Sequence, residues 1–417
     1  MMRSGRAVIA LAAGVALALV GSTAAHADQV RTLEYWLSDY GISKAWSTTK
    51  GAGVKVAIID TGVDGSVPDL SGAVIGGTDV SGVGSPSGQK PIGSTEDSSH
   101  GTWVASLLAG RGTGGGNGVI GVAPEASILS ISVSLGSSAS TVSSDDQIAD
   151  AVHWAVDNGA KVINMSLTRN TLAWPESWDA AFLYAFSHDV VVVAAAGNRG
   201  SGTTEVGAPA TIPGVLTVAG VDRNGSASFD ASSQGITIGV SAPSEQLVGA
   251  NPGGGYVQWA GTSGAAPLVA GAVALVRAAH PELDAANVIN RVISTARPVG
   301  KVPSPIYGYG LLDANAAVTA KVPSVTANPM GDLTEWIHIH RRASTTPSTS
   351  GAVPVPSSTP RALPADSVVT VGELVVPRWD VLTLFWIPVA LFGGFAALLG
   401  LGVAGAVLHF RRAGRRE

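Results

Sequence analysis

Cysteine is absent from the 417 residues of this chain. Its absence excludes disulfide bridges, thiolate metal sites and a cysteine nucleophile, and by itself it fixes no compartment. Charged residues are scarce at 13%, whereas hydrophobic residues make up 46%, which excludes a highly charged disordered protein. The formal net charge is −5 although both ends carry arginines, so the acidic middle lacks the basic surface of a nucleic-acid-binding protein.

The N-terminus has the features of an export signal. Arg3 and Arg6 precede an apolar run over residues 7–20, and the small-residue sequence Ala25-His26-Ala27 follows it. A charged start, a short apolar stretch and an A-x-A site together predict a secretory signal peptide over residues 1–27. The alternative is an uncleaved anchor, although this run is shorter than the ~20 residues that a bilayer span needs.

A second apolar stretch lies near the C-terminus. Residues 381–408 carry no formal charge and exceed the ~20 residues of a transmembrane helix. Trp379 and Trp386 lie near its start, where interfacial aromatic residues are common, and four arginines follow in the tail, residues 409–417. Because positive residues stay on the cytoplasmic side, we predict a single-pass anchor in the cell membrane, a cytoplasmic C-terminus and an extracytoplasmic body. The alternative is a buried hydrophobic hairpin.

Between these ends, the pattern predicts one large α/β domain over residues 51–322. Apolar runs alternate with segments of helical pattern, which favours a mostly parallel sheet with helices on both faces. The predicted strands are residues 54–59, 128–133, 162–165, 190–195 and 215–219, and the predicted helices are residues 145–158, 176–188, 263–279 and 284–296. A short N-terminal extension, residues 28–50, precedes the domain. Residues 323–380 form a predicted Pro/Ser/Thr-rich tether to the membrane.

The extension is too short to form an independent domain with its own core. It is nevertheless apolar enough to dock on the body. The residues expected to dock are Leu33, Tyr35, Trp36, Leu37, Ile42 and Trp46.

Three short motifs carry residues suited to nucleophilic catalysis. An apolar strand ends at Asp60 and turns at Gly62, and catalytic groups collect where parallel strands end. His100 stands before a glycine at the expected start of a helix. Ser263 lies between glycines at another helix start, where backbone N–H groups and the helix dipole favour developing negative charge. Taken singly, a carboxylate that caps a turn and an N-cap serine remain the alternatives.

Asn198 ends a further apolar strand, and its amide is a suitable oxyanion donor. Asp60, His100, Asn198 and Ser263 in this order, with their flanking residues, resemble a subtilisin-type serine protease over about 270 residues. The motifs that carry the resemblance are Asp60-Thr61-Gly62-Val63, His100-Gly101-Thr102, Gly261-Thr262-Ser263 with Ala266-Pro267, Val162 to Leu167, and Tyr307 to Asp313.

The resemblance implies a subtilisin-like fold and a catalytic role for each residue. Ser263 would attack the peptide carbonyl, His100 would carry the proton, and Asp60 would hold the imidazole. Asn198 and the Ser263 N–H would stabilise the oxyanion. It implies no cofactor, and no metal is predicted because His338 and His340 lack a third ligand.

The resemblance also implies an extended peptide substrate between two segments. The expected substrate-binding residues are Ser132, Ser134, Gly136, Ser166, Leu167, Thr168 and Gly197. This chain departs from the common pattern at Thr168-Arg169, where glycines are usual, so a cleavage preference does not transfer. Gly264 after the nucleophile is also less usual.

The whole arrangement looks like the mycosins, membrane-anchored subtilases associated with type VII secretion. The short extension, the Pro-rich tether and the C-terminal membrane helix carry this likeness, although the absence of cysteine departs from it. It implies a protein or peptide substrate and a secretion membrane complex as partner. Two alternatives remain: a mainly structural component of that complex, and a general anchored cell-surface subtilase.

Overall fold

A computed structural model describes residues 30–93, 95–134, 140–202 and 204–341, without the side chains of 95–97. The predicted signal peptide, the membrane helix 381–408 and the tail 409–417 lie outside the described residues. The export signal and the membrane anchor therefore stay predictions from the sequence.

A seven-stranded sheet forms the centre of the body, and all of its strand pairs are parallel. Its order is β2-β3-β1-β4-β5-β6-β7. β5 is completely buried along Val-Val-Val-Ala-Ala, as expected of a strand covered on both faces. The strands are β1 Lys55–Asp60, β2 Val74–Asp79, β3 Ser127–Ser132, β4 Val162–Met165, β5 Val191–Ala195, β6 Leu216–Val221 and β7 Ile238–Pro243. An antiparallel hairpin, β8 Leu247–Ala250 and β9 Tyr256–Trp259, lies outside this sheet.

In the described part of the chain, helices cover both faces of the sheet and produce two cores. α3 and α6 contribute to one core, and α4 and α5 to the other. Side-chain oxygens of Ser143 and Asp284 accept hydrogen bonds from the first turns of α4 and α7, and so define where these helices begin. The helices are α1 Trp36–Asp39, α2 Ile42–Ala45, α3 Thr95–Ala109, α4 Ser144–Asp157, α5 Glu176–Ser187, α6 Thr262–Ala279, α7 Ala285–Ser294, α8 Ala314–Thr319 and α9 Leu333–His340.

The structure confirms the predicted α/β class and each predicted strand and helix, with ends that move by one or two residues. Two sheet strands were missed. β2 contains Gly76-Gly77 and is only partly buried, so it lacks the apolar run that marks the other strands. β7 has fewer large apolar residues. The prediction that His100 begins its helix was wrong, because α3 begins at Thr95.

The N-terminal extension docks on the body as a layer of the first core. Trp36 and Ile42 are fully buried. Hydrogen bonds tie the segment to distant parts of the chain: Tyr35 Oη donates to the Glu245 carbonyl at 2.8 Å, and Trp46 Nε1 to the Val122 carbonyl at 2.8 Å. Leu33 was also expected to dock, but it is 38% exposed.

A buried carboxylate completes this docking. Glu34 Oε1 accepts the Ile120 N–H at 2.8 Å, and Arg31 lies 3.4 Å from Oε2. Burial raises the pKa of Glu34 to about 8, against the opposite influence of the Ile120 N–H and the Arg31 guanidinium. Asp69 lies in the same cluster, and burial also raises its pKa.

The body continues beyond the boundary drawn at residue 322. The segment 323–341, which the sequence assigned to the tether, packs on α5 and ends in α9. Asp332 caps this helix. The Trp336 ring lies 4.3 Å from the Trp174 ring, and Arg341 hydrogen-bonds Asp179 at 3.2 Å. The Pro-, Ser- and Thr-rich composition that suggested an extended spacer lies mainly in residues 343–367, whereas residues 323–341 carry the aromatic and apolar side chains that pack here.

Within the described residues, one helix is long and apolar enough to cross a membrane, and it is α6. It is 83% buried inside the body, so its hydrophobicity reflects a place in the core.

Candidate active site

The carboxyl ends of β1, β4 and β5 bring the predicted catalytic residues to one edge of the sheet. Asp60 is the last residue of β1 and is buried. His100 projects from α3, with its Nδ1 2.9 Å from Oδ1 and 3.0 Å from Oδ2 of Asp60. This pairing fixes the ring orientation and leaves Nε2 as the nitrogen for other contacts.

The turn after β1 holds both partners of this pair. The Thr61 N–H donates to Asp60 Oδ1 at 2.7 Å, and Thr61 Oγ1 accepts the Gly101 N–H at 3.2 Å. A Cβ on Gly101 would lie 2.3 Å from the Gly62 carbonyl oxygen. Glycine after the histidine is therefore required for α3 to approach β1 closely.

Ser263 is the second residue of α6 and is bound to the end of β4 from both sides. Its Oγ donates to the Ser166 carbonyl at 3.2 Å, and its own carbonyl accepts from Ser166 Oγ at 2.8 Å. In a regular helix this carbonyl would accept the N–H four residues later, but that residue is Pro267, which has none. The proline thereby frees the Ser263 carbonyl for Ser166.

Asn198 follows β5, and its amide orientation is determined by its partners. Oδ1 accepts the Thr262 N–H at 2.8 Å and Thr262 Oγ1 at 2.9 Å. Since a backbone N–H can only donate, this atom is the amide oxygen, and Nδ2 remains as the donor on the other side. Gly261 faces Nδ2, because a Cβ there would lie 3.0 Å from it. A side chain at 261 would crowd the donor.

Two tryptophans flank the histidine. The Trp259 ring meets the His100 ring edge-on at 5.7 Å, and Trp103 lies 5.6 Å from Trp259. Trp259 also lies next to Gly264, whose Cβ would be 3.2 Å from the indole. The same indole thus contacts His100 and the residue after Ser263, which places α3 and the start of α6 side by side at this edge.

The predicted substrate-binding residues have different surroundings. Ser132 Oγ donates to Asp79 Oδ1 at 2.7 Å, inside the sheet. Burial opposes ionisation of Asp79, but hydrogen bonds from Ser81, Ser132 and Gly84 outweigh it and lower its pKa. The Ser134 N–H donates to Gln147 Oε1 at 2.7 Å. Gly136 lies outside the described residues.

The other predicted substrate-binding residues lie near the nucleophile in the chain segments that leave β4 and β5. Ser166 contacts Ser263 directly, and Leu167 and Thr168 follow it, half-buried. Gly197 donates its N–H to Thr262 Oγ1 at 3.1 Å.

Sequence reasoning missed Thr262, Trp259, Trp103 and Gln147 as parts of this site. Thr262 was quoted in the serine motif, but no pattern says that its hydroxyl bridges Gly197 and Asn198. Position relative to the motifs was the available signal for the tryptophans: Trp103 stands three residues after His100, and Trp259 four before Ser263.

The chain belongs to the subtilase family, whose model matches residues 51–310. It is 40% identical to subtilisin DY of Bacillus licheniformis over 273 residues, which are 64% of this chain and 92% of that protein. It is 41% identical to subtilisin E of Bacillus subtilis over 270 residues, 64% of this chain and 66% of that protein. Its class is therefore that of the subtilisin-type serine proteases.

Solved structures of mycosins are similar to this one. A crystal structure of MycP1 with the N-terminal propeptide removed superposes with a TM-score of 0.60 at 31% identity, over 70% of this chain and 98% of that one. MycP3, a protease from the type VII (ESX-3) secretion system, gives a TM-score of 0.59 at 32% identity, over 69% of this chain and 88% of that one.

Proposed function

We propose that this subtilase is a working endopeptidase whose triad is Asp60, His100 and Ser263. The contact of the His100 imidazole with buried Asp60, 2.9 Å from Nδ1 to Oδ1, is the observation that carries the proposal. A carboxylate in this position holds the imidazole with Nε2 turned away and stabilises its charged form.

The reaction is acyl transfer. Ser263 Oγ attacks the carbonyl carbon of the substrate while His100 Nε2 accepts the hydroxyl proton. The imidazolium then gives this proton to the leaving amine, and water releases the acyl group by the same route in reverse. The Ser166 carbonyl accepts a hydrogen bond from the Ser263 hydroxyl and so keeps the nucleophile at the edge of the sheet.

Negative charge on the carbonyl oxygen is stabilised by two donors. One is Asn198 Nδ2, which is available because Thr262 occupies Oδ1 twice. The other is the Ser263 N–H at the start of α6, where the helix dipole adds to the field. Donors held in place in this manner need no reorganisation during the reaction.

The experiment that tests this chemistry uses a serine-directed phosphonate on the purified protein. Wild type should be labelled and Ser263→Ala should not, whereas Ser47→Ala, a change at an exposed serine, should label normally. Asn198→Ala should retain substrate binding and lose roughly 10²–10³-fold in kcat. Unchanged labelling in folded Ser263→Ala contradicts the assignment of the nucleophile, and unchanged turnover in Asn198→Ala removes it from the oxyanion role.

We also propose that the enzyme is anchored in the cell membrane, with its catalytic domain outside, and that it works beside a type VII secretion complex on exported protein or peptide substrates. The likeness to MycP3 supports the secretion role. The hydrophobic stretch 381–408 and the arginines of the tail support the anchor and its direction.

Two cell experiments test this placement. Protease added to cells without an outer barrier should release the body, and a tag after Glu417 should stay protected; a tag accessible from outside contradicts the topology. Secretion should fail in both Ser263→Ala and a deletion strain. Secretion that survives Ser263→Ala but fails on deletion would instead identify a structural part in the complex.

A further inference from the structure

We propose that Trp259 is a positioning residue for proton transfer: its indole keeps the His100 imidazole in line with Ser263. This inference rests on the proposed function, because it needs His100 as the base that takes the proton from Ser263 Oγ. In this proposal Trp259 touches no reacting atom and acts through the histidine. The contacts that carry it belong to the β8–β9 hairpin, which lies outside the central sheet.

The indole of Trp259 reaches from the hairpin to the start of α6. A Cβ built on Gly249, in β8, would lie 3.2 Å from Nε1 of the indole, and a Cβ built on Gly264 would lie 3.2 Å from Cη2. Nε1 belongs to the five-membered ring and Cη2 to the six-membered ring, so the indole fills the distance between these two glycines. A larger residue at either position would displace the ring, and Gly264 directly follows Ser263.

The same indole borders the catalytic imidazole. The His100 and Trp259 ring centroids are 5.7 Å apart, and their planes are inclined by 74°, which is an edge-to-face geometry that aromatic rings prefer. Asp60 holds the imidazole at Nδ1, but a contact at one nitrogen leaves the ring free to tilt about it. The indole limits this tilt. Because it also abuts the residue after Ser263, it relates the histidine to the serine.

The hairpin that carries Trp259 is fastened to α3, the helix that carries the histidine. The Ala250 N–H donates to Ser106 Oγ at 3.1 Å, and Trp103 Nε1 donates to Asn251 Oδ1 at 3.0 Å. The Trp103 ring also lies 5.6 Å from the Trp259 ring. The indole is therefore fixed relative to the helix from which the imidazole projects.

The shape of the indole, and not its N–H, makes these contacts. Trp259 Nε1 is buried and has no hydrogen-bond partner among the residues that the structure describes. Because an unpaired buried donor lowers stability, the N–H does not explain a tryptophan at this position. A smaller flat ring at 259 should preserve the role, whereas a flexible or truncated side chain should not.

The test separates turnover from binding with purified variants and one peptide substrate. Trp259→Ala should lower kcat about 10- to 10²-fold, because small misplacements of catalytic groups have effects of this size. KM should change less than about threefold, since the ring binds no substrate in this proposal. The rate of phosphonate inactivation, which also needs His100 to activate Ser263, should fall with kcat. Trp259→Phe should recover kcat to within about threefold of wild type, because it restores a flat aromatic ring.

Two further variants control for changes in the hairpin. Tyr256→Ala removes an exposed ring from the same strand, one whose hydroxyl lies 3.4 Å from Asp69, and it should keep the wild-type kcat. Trp259→Leu retains apolar bulk without a flat ring. It should show the loss of kcat even where Trp259→Ala fails to fold, and thermal unfolding of each variant verifies the folded state.

Every other result contradicts one of the two proposals. Wild type labelled at Ser263, together with an unchanged kcat in folded Trp259→Leu, overturns the positioning role and leaves the proposed function intact. A raised KM with unchanged kcat would identify a substrate contact, and an equal loss of kcat in Tyr256→Ala would identify a loosened hairpin; both also overturn it. A folded wild type that is not labelled overturns the proposed function, and the positioning role with it.

Discussion

Two segments flank the body, and they are held to it in different ways. Residues 30–50 place fully buried side chains in the first core, among them Trp36 and Ile42. Residues 323–341 bury only Leu333 within α9 and otherwise rest on half-buried rings and the ion pairs of Arg341. The difference teaches that the first segment belongs to the folding unit, while the second lies on its surface.

The largest expected effect tests this contrast directly. Trp36→Ala removes a fully buried indole and should lower the free energy of unfolding by about 3–5 kcal/mol, through lost burial and the cavity left behind. Trp336→Ala, at the half-buried counterpart in α9, should cost about 1–2 kcal/mol. Urea unfolding of both variants measures this. Equal losses of unfolding free energy in the two variants would contradict this difference between the segments.

A second prediction concerns pH. Glu34 has a pKa of about 8 in the folded protein and 4.5 ordinarily, so the folded state binds the extra proton between these values. Stability should therefore fall as pH rises from about 4.5 to about 8, by up to about 1.4 kcal/mol per unit. Glu34→Gln should remove this contribution and be more stable than wild type at pH 8.

The control for this prediction is Glu125→Gln, a change at an exposed glutamate. It should show the same dependence of stability on pH as wild type. Unfolding midpoints at a series of pH values provide the measurement. If Glu34→Gln shows the same dependence of stability on pH as wild type, burial does not outweigh the Arg31 charge in setting the Glu34 pKa. Arg31 and Glu34 then form an ordinary ion pair.

A third prediction sharpens the description of the C-terminal segment. The Arg341 guanidinium lies 5.7 Å from the Trp174 ring and 5.4 Å from the Trp336 ring, and it hydrogen-bonds Asp179. Arg341→Ala should cost about 1–2 kcal/mol, with peptidase activity retained. Arg341→Lys should recover only part of this, because lysine lacks the planar fork. Full recovery would show that charge alone holds the segment.

The smallest effect is expected at Leu33, the exposed leucine of the extension. Leu33→Ala should change the free energy of unfolding by no more than about 0.5 kcal/mol. Leu37→Ala, at a buried leucine four residues later, should cost about 2–3 kcal/mol. Thermal unfolding of both variants tests whether the stability that the extension contributes depends on the burial of its side chains and not on their apolar character alone.

Sequence reasoning reached the fold class and the four motif residues because both are local signals. The buried strands are continuous apolar runs, and Asp60, His100, Asn198 and Ser263 stand in short recognisable contexts. β2 escaped because glycines interrupt it at the sheet edge. The bridge from Thr262 to Asn198 spans 64 residues, and no local pattern predicts which hydroxyl meets which amide.

The same limit explains the boundary that was drawn at residue 322. The Pro-, Ser- and Thr-rich composition centred on residues 343–367 suggested a spacer from residue 323 onwards, but the partner of Trp336, Trp174, lies more than 150 residues earlier in the chain. Likewise, Thr168 could be recognised as a departure from the usual glycine, while its packing against Gly207 required the structure. The composition of a segment describes its residues, whereas its tertiary contacts determine whether it packs on the body.

The docking of the extension has a consequence for the order of folding. The Tyr40 carbonyl accepts the Ala314 N–H, and Arg297 donates to the Asp39 carbonyl across 258 residues. The hydrogen-bond partners of Asp39 and Tyr40 are therefore synthesised more than 250 residues after them. With a wholly parallel sheet between them, this gives a high contact order and slow folding. A growing chain on the ribosome cannot finish its core before residue 314 has emerged.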